Sequence, residues 1–295
     1  MKRTLISMLL LVSIVVFTAG AVAQEVGPAH GSLVIVGGAM RDPAIVQRFL
    51  NLAGGPDAPI VVIPTAGGRE HYDQYNSGLR IFKENGATNL TVLHTTDPEV
   101  ADTDEFVQPI RAARGVWFGG GRQWRLTDAY LNTKVHEELW ALLERGGVVG
   151  GSSAGATIQG AYLARGDTSA NTIMMGDHQE GLGFLKNTAI DQHLLRRNRQ
   201  FDLIEIIEAH PELLGIGIDE NTAIVVRGDI FEVMGQGYVA IYDHHSWLEG
   251  GPGGAGGQFY FLAPGNRFNL KTREAFRVAP AQQPLDRVVK KEWQK

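Results

Sequence analysis

From residue 31 onward, short apolar runs rich in β-branched residues alternate with stretches whose apolar positions recur at helical spacing. Residues 33–36, 60–63, 90–93, 116–118 and 148–149 are compact apolar runs, which read as buried strands. Helical patterns lie between them. The clearest spans 135–145, where Val135, Leu139, Leu142 and Leu143 share one face and Gly146-Gly147 stops the helix. Strand and helix in alternation predict a parallel sheet covered on both faces, because each such strand is apolar on both sides.

Past residue 213 the pattern changes to closely spaced strands. Residues 215–218, 223–226, 231–234 and 238–242 are strand-like, with Arg227-Gly228-Asp229 as a hairpin-type turn. They predict an antiparallel C-terminal extension. The glycine-rich stretch 250–257 reads as a flexible loop, and about 280–295 as a polar tail. No internal repeat or long linker divides the chain, so residues 24–295 read as one domain.

The first residues follow another pattern. Lys2 and Arg3 precede an apolar run over 5–17, and Ala21-Val22-Ala23 follows, the arrangement of a secretory signal peptide. Residues 1–23 are thus expected to be a leader cleaved near Ala23-Gln24, leaving a secreted or periplasmic protein. No later segment holds about eighteen consecutive apolar residues, so no membrane contact is expected after cleavage.

Composition then narrows the chemistry. With 295 residues, 44% of them hydrophobic, and a net charge of -5, the chain can bury a full core. It has no cysteine, which excludes disulfides, thiol catalysis and thiolate metal sites. No Lys/Arg-rich run marks a nucleic-acid surface. No cofactor or metal is expected: His244-His245 and Asp177-His178 are adjacent pairs that diverge on a strand, and HExxH is missing.

The most informative stretch is GGVVGGSSAGA at 146–156, a short strand running into a glycine-rich turn and then a helix beginning near Ala154. Gly151-x-Ser153-x-Gly155 has the spacing of a nucleophile elbow. A developing oxyanion would meet the helix N-terminus, with the N–H of Ala154 as the natural donor. The same residues also suit a plain helix cap or a phosphate cradle. Phe118-Gly119-Gly120-Gly121-Arg122-Gln123 likewise follows a strand, and its glycine N–H groups could supply a second donor. Its spacing is not GxGxxG, which argues against a dinucleotide. Among nine histidines, His193 stands out in Asp191-Gln192-His193, after apolar Ile190 and before Arg196, Arg197 and Arg199. A histidine is the usual base for a serine, and arginines grip carboxylates bidentately.

Taken together, these residues resemble the cyanophycinase and dipeptidase E group of serine peptidases. The resemblance runs over roughly residues 31–243 and includes LVIVGGAM, VVIPTA at 61–66, FGGGRQ, GGSSAGA, IDQHLLRRNR at 190–199 and GIGIDENTA at 215–223. It implies a three-layer α/β sandwich with a mainly parallel sheet, of the class I glutamine amidotransferase-like or flavodoxin-like kind. It also implies a metal-free triad of Ser153, His193 and an acid placed shortly after the nucleophile helix. Asp167 is nearest that place, with Asp177 and Glu180 as alternatives. Ala154 with Gly120 or Gly121 would bind the oxyanion, and Gln123, Asp191, Gln192, Arg197 and Arg199 would line the substrate site. Family cyanophycinases remove β-aspartyl-arginine units from a polyaspartate polymer, so cyanophycin or an aspartyl peptide is the implied partner, and a homodimer is compatible with the family. Two departures stand out: Asp202 occupies a position where another arginine is expected, and 167–183 is not a close match. Competing readings are a dipeptidase acting on short aspartyl or isoaspartyl peptides and an exported binding protein without catalysis.

Overall fold

The computed structural model describes residues 25–75, 77–248 and 257–277. The expected leader at 1–23, nearly all of the glycine-rich loop and the polar tail lie outside the described residues. Five strands coincide closely with the first apolar runs: β1 (Ser32–Val36), β2 (Ile60–Ile63), β3 (Leu90–Val92), β4 (Gly115–Phe118) and β5 (Val148–Ser152). There follow β6 (Gly160–Tyr162), β7 (Leu185–Gln192), β8 (Leu214–Ile218), β9 (Thr222–Arg227) and β10 (Ile230–Gly235). The last four are β11 (Val239–Asp243), β12 (Tyr260–Leu262), β13 (Asn266–Asn269) and β14 (Glu274–Arg277).

These strands form two sheets. The larger runs β14-β13-β10-β9-β1-β5-β4-β2-β3 and the smaller β12-β11-β8-β7-β6. Strands β1, β5, β4, β2 and β3 pair in parallel, and β9, β10, β13 and β14 extend that sheet antiparallel from β1. The four strands expected as one extension divide between the sheets. Strands β8 and β11 pair with each other in the smaller sheet, where β8 also lies parallel to β7. Apolar periodicity marks a strand and its faces but not its neighbour, and the edges that β1 and β7 leave open decide the division.

Alternation along β1 shows how the layers are filled. Val34 and Val36 face Ile45, Val46, Phe49 and Leu50 of the helix Pro43–Ala53. On the other face, Leu33 and Ile35 share a core with Ile110, Leu139 and Leu142 and with Ile216, Ile218 and Ile241 of the smaller sheet. The smaller sheet is covered in turn by Leu203, Ile206 and Ile207 of the helix Asp202–Ala209. Local signals end the elements cleanly. The Asp42 carboxylate caps the Ala44 N–H at 2.9 Å, Pro43 opens the helix, and Gly54 closes it at φ 111°. Among the described residues, no helix is long and apolar enough to cross a membrane.

Under that helix, Phe49 meets Trp117 at 5.0 Å and Phe82 at 5.8 Å between ring centroids. The rings fit because Gly150 of β5 lacks a Cβ, which would lie 2.5 Å from the Trp117 ring. This packing therefore bears on the strand that leads into the glycine-serine turn. Phe49→Ala is expected to lower unfolding free energy by about 3–5 kcal/mol, read from the urea midpoint at unchanged slope.

Candidate active site

Because β1, β4 and β5 are parallel neighbours, the turns after them meet at one sheet edge. Val36 is in register with Ser152 and Phe118 with Gly151, so Gly37-Gly38, Gly119-Gly120-Gly121 and Ser153 converge. Ser153 has φ 59° and ψ -114°, a strained conformation for a residue with a side chain, and the helix Ala154–Thr157 follows directly. Glycines make the turn sterically feasible. A Cβ on Gly151 would come within 2.1 Å of the Gly155 carbonyl oxygen, and one on Gly155 within 2.3 Å of the Phe118 carbonyl oxygen. The Gly120 backbone lies against Ser153, its notional Cβ 3.8 Å from Oγ. The N–H groups of Ala154 and Gly120 make no hydrogen bond among the described residues, which leaves both available as donors beside Oγ.

Ser153 Oγ is 2.9 Å from His193 Nε2, and His193 Nδ1 is 2.7 Å from Glu220 Oε1. The arrangement assigns the imidazole a tautomer: Nδ1–H donates to the carboxylate and Nε2 accepts from the serine hydroxyl. His193 lies just beyond β7 and Glu220 just beyond β8. Those strands are parallel with Gln192 opposite Ile218, so the register carries the two side chains together. The residues on either side of Glu220 tie its loop to neighbouring segments. Asp219 Oδ1 accepts the N–H groups of Leu195 and Arg196, each at 3.0 Å. Asn221 Oδ1 accepts those of Arg41 and Asp42, and the Asn221 N–H reaches the Gly38 carbonyl.

The carboxylate that meets His193 is thus that of Glu220 and not that of Asp167, the residue expected there. Asp167 Oδ1 instead accepts the N–H groups of Ser169 and Ala170 at 2.8 and 2.9 Å, closing its own turn. Neither alternative fits. Asp177 binds Thr168 and His178, and these hydrogen bonds pull its pKa down to about 2. Glu180 contributes a backbone carbonyl to Thr127 and pairs with Tyr162 through its backbone. The sequence did carry a signal for Glu220: an Asp-Glu pair directly after an apolar strand. A carboxylate there sits at the edge where ligands of open α/β sheets gather.

The residues expected to line the substrate site also divide. Gln123, Asp191, Gln192 and Arg199 are buried and hold partners within the chain. Gln123 donates to the Ala164 carbonyl at 2.7 Å, Arg199 Nη1 to both oxygens of Gln192, and Asp191 accepts from Arg165. Arg197 alone of the five is exposed. Gly121, at φ 147°, packs onto the Ala66 carbonyl rather than on Ser153, so of the two glycines Gly120 is the one beside the hydroxyl. A hollow of about 760 Å³ bordered by Tyr260, Leu262, Arg273 and Phe276 contains neither Ser153 nor His193.

Desolvation is the largest influence on His193 and lowers its pKa; the hydrogen bond to Glu220 opposes it, while the nearby Arg197 and Arg199 cations lower it further. The imidazole is therefore neutral, and able to take a proton, at and somewhat below the ordinary histidine value of 6.5.

An open α/β sheet carrying a serine, a histidine and a carboxylate in hydrogen-bonded series at its edge defines a serine-type peptidase. The chain belongs to Peptidase family S51, whose model matches residues 33–234. It is 33% identical over 261 residues to a cyanophycinase of Geminocystis herdmanii, covering 83% of this chain and 96% of that one. It is 34% identical over 220 residues to a Nostoc cyanophycinase, covering 72% and 73%. Among solved structures, a peptidase from an acI-B1 Actinobacterium superposes with TM-score 0.62 at 25% identity, over 82% of this chain and 98% of that one. A peptidase E-like protein of Listeria monocytogenes shares the fold, with TM-score 0.52 at 18% identity over 71% and 100%.

Three outcomes follow from this geometry. As pH falls, protonation of His193 removes the base, so the acidic limb of kcat/KM is expected below 6.5. Arg197→Gln removes one of the cations that lower His193 and should move that limb upward in a pH–rate profile. Gly38→Ala places a Cβ 2.3 Å from the His193 ring at a backbone φ of 129°. Steady-state kinetics should show about a hundredfold loss of kcat/KM while circular dichroism reports a retained fold.

Proposed function

We propose that this chain hydrolyses aspartyl peptide bonds of cyanophycin, releasing β-aspartyl-arginine, through Ser153, His193 and Glu220. The hydrogen-bonded series of 2.9 and 2.7 Å carries the reading, and the substrate is suggested by the cyanophycinases to which the chain is similar over most of its length.

In this mechanism His193 Nε2 takes the Ser153 proton as Oγ attacks the scissile carbonyl carbon. Glu220 holds the ring and stabilises the imidazolium without itself being protonated. The oxyanion of the tetrahedral intermediate is received by the N–H groups of Ala154 and Gly120. Collapse breaks the C–N bond, and the leaving amine takes the proton from His193, which leaves an ester on Ser153. Water, deprotonated by His193, then hydrolyses the ester and returns the proton to Oγ. Export by way of the leader at residues 1–23 belongs to the same proposal, on the strength of Lys2, Arg3 and the Ala21-Val22-Ala23 site. One observation favours a second reading, hydrolysis of short aspartyl dipeptides: most of the side chains expected to grip an arginyl polymer are engaged inside the protein.

The test is release of β-aspartyl-arginine from purified cyanophycin, measured beside a panel of aspartyl dipeptides. Ser153→Ala should lose essentially all turnover and Glu220→Gln about 10³–10⁴-fold in kcat, whereas Asp167→Asn should keep near-normal rates. Full activity in Glu220→Gln would remove the assigned acid. Turnover of dipeptides alone would move the substrate to the second reading.

A further inference from the structure

We infer that Arg165 is a resident guanidinium filling the anionic socket formed by Asp191 and Asp202, so that substrates are chosen without a guanidinium of their own being read there. The inference rests on the proposed cleavage of aspartyl peptides and specifies which of them the site accepts.

The socket is a built one. Arg165 Nε and Nη2 approach Asp191 Oδ1 and Oδ2 at 2.8 and 3.1 Å, a bidentate fork, and Nη2 also engages Asp202. Arg165 Nη1 donates to the Asn171 carbonyl at 2.9 Å. All three guanidinium nitrogens are thus used. The Asp191 side chain is 0% exposed and that of Arg165 2%, whereas that of Asp202 is 35% exposed. A carboxylate so buried is tolerated only against a full counter-charge, and the Asp202 side is where the socket reaches water.

The socket belongs to the neighbourhood of the reacting pair. Asp191 stands two positions before His193, and Arg199, one of the cations that lower His193, lies 3.9 Å from Asp191 while hydrogen-bonding Gln192. Two cations, Arg165 and Arg199, already balance the two carboxylates. A substrate guanidinium entering this socket would find Asp191 and Asp202 already countered, and the Glu220 carboxylate is engaged by His193.

Arg165 is also pinned from behind. Its backbone is in the left-handed region at φ 60°, its N–H bonds the Met174 carbonyl at 2.9 Å, and Tyr162, Ala164 and Met174 are buried in the core under the helix Asp202–Ala209. What remains for substrate is the opposite charge preference. Arg196 and Arg197 are exposed, and their side chains have no carboxylate partner among the described residues. The class that fits is an aspartyl peptide with free carboxylates, whose other side chain can be arginyl, lysyl or neutral.

The decisive comparison is kcat/KM of the full-length protein on short oligomers of β-aspartyl-arginine, β-aspartyl-lysine and β-aspartyl-glutamine. Wild type should treat the three within about threefold, because a site that reads a guanidinium bidentately would separate them by about tenfold or more. Arg165→Ala vacates the socket. It should melt roughly 5–10 °C lower, regain Tm in low-millimolar guanidinium chloride but not in sodium chloride, and acquire an arginyl preference of about tenfold. Arg165→Ala/Asp202→Asn, which removes one charge of each sign, provides the same reading if the single variant does not fold. Wild-type preference for the arginyl oligomer, or a vacated socket indifferent to guanidinium in both Tm and selectivity, overturns the inference. If wild type cleaves none of the oligomers, the proposed function fails, while the guanidinium response of Tm still decides what Arg165 does.

Discussion

Two consecutive carbonyls at the end of β1 hold the site together: Val36 accepts the N–H of Ser153 at 3.0 Å and Gly37 that of His193 at 2.7 Å. The next carbonyl, of Gly38, accepts the N–H of Asn221 and so ties in the loop that carries Glu220. Serine, histidine and acid come from three strands and two sheets, yet one short turn sets the spacing among all three. That turn must approach its partners closely. A Cβ on Gly37 would lie 2.2 Å from the Ile218 and Asp219 carbonyl oxygens, and one on Gly38 would enter the imidazole. Ser153 and His193 both have positive φ, conformations that cost about 1–3 kcal/mol each and persist only where the surroundings over-determine them. The pairing of β1 with β5 and β9, and the apolar layers on both its faces, provide that determination.

Around this frame several of the buried polar side chains are engaged within the chain. Asp191 with Arg165, Gln192 with Arg199 and Gln123 with the Ala164 carbonyl are all internal partnerships. They lie beside His193, whose imidazole is itself largely buried. Its depressed pKa arises mainly from burial, with Arg197 and Arg199 acting in the same sense and Glu220 against them. The position where the family resemblance leads one to expect another arginine holds Asp202, and Arg165 answers it from a different loop. A guanidinium is thus present at this point of the protein, but it is contributed by the chain itself.

How much of this was legible beforehand depended on the range of the signal. The β1 to β5 runs, the helix at Lys134–Glu144 and the strained serine turn are written in local patterns: apolar runs bounded by glycine, one-faced periodicity, and glycines at two-residue spacing around Ser153. Asp167 was expected as the acid because it lies at the family's sequence distance from the serine, but its carboxylate closes a local Asx-type turn. Glu220 stands in the GIGIDENTA stretch, but nothing local relates it to His193, 27 positions away.

The sequence by itself determined the strand and helix periods, the turn that presents Ser153 and the presence of a histidine and of carboxylates after strands, since each depends on residues within a turn or two of one another. Only the tertiary structure decided which carboxylate meets His193, that β8 and β11 leave the antiparallel extension for a second sheet, and that Asp191 is spent on Arg165. Those outcomes rest on strand register and on which buried charges find each other. Both are set by long-range pairing in a low-dielectric interior, where an unpartnered ion costs more than any local preference provides.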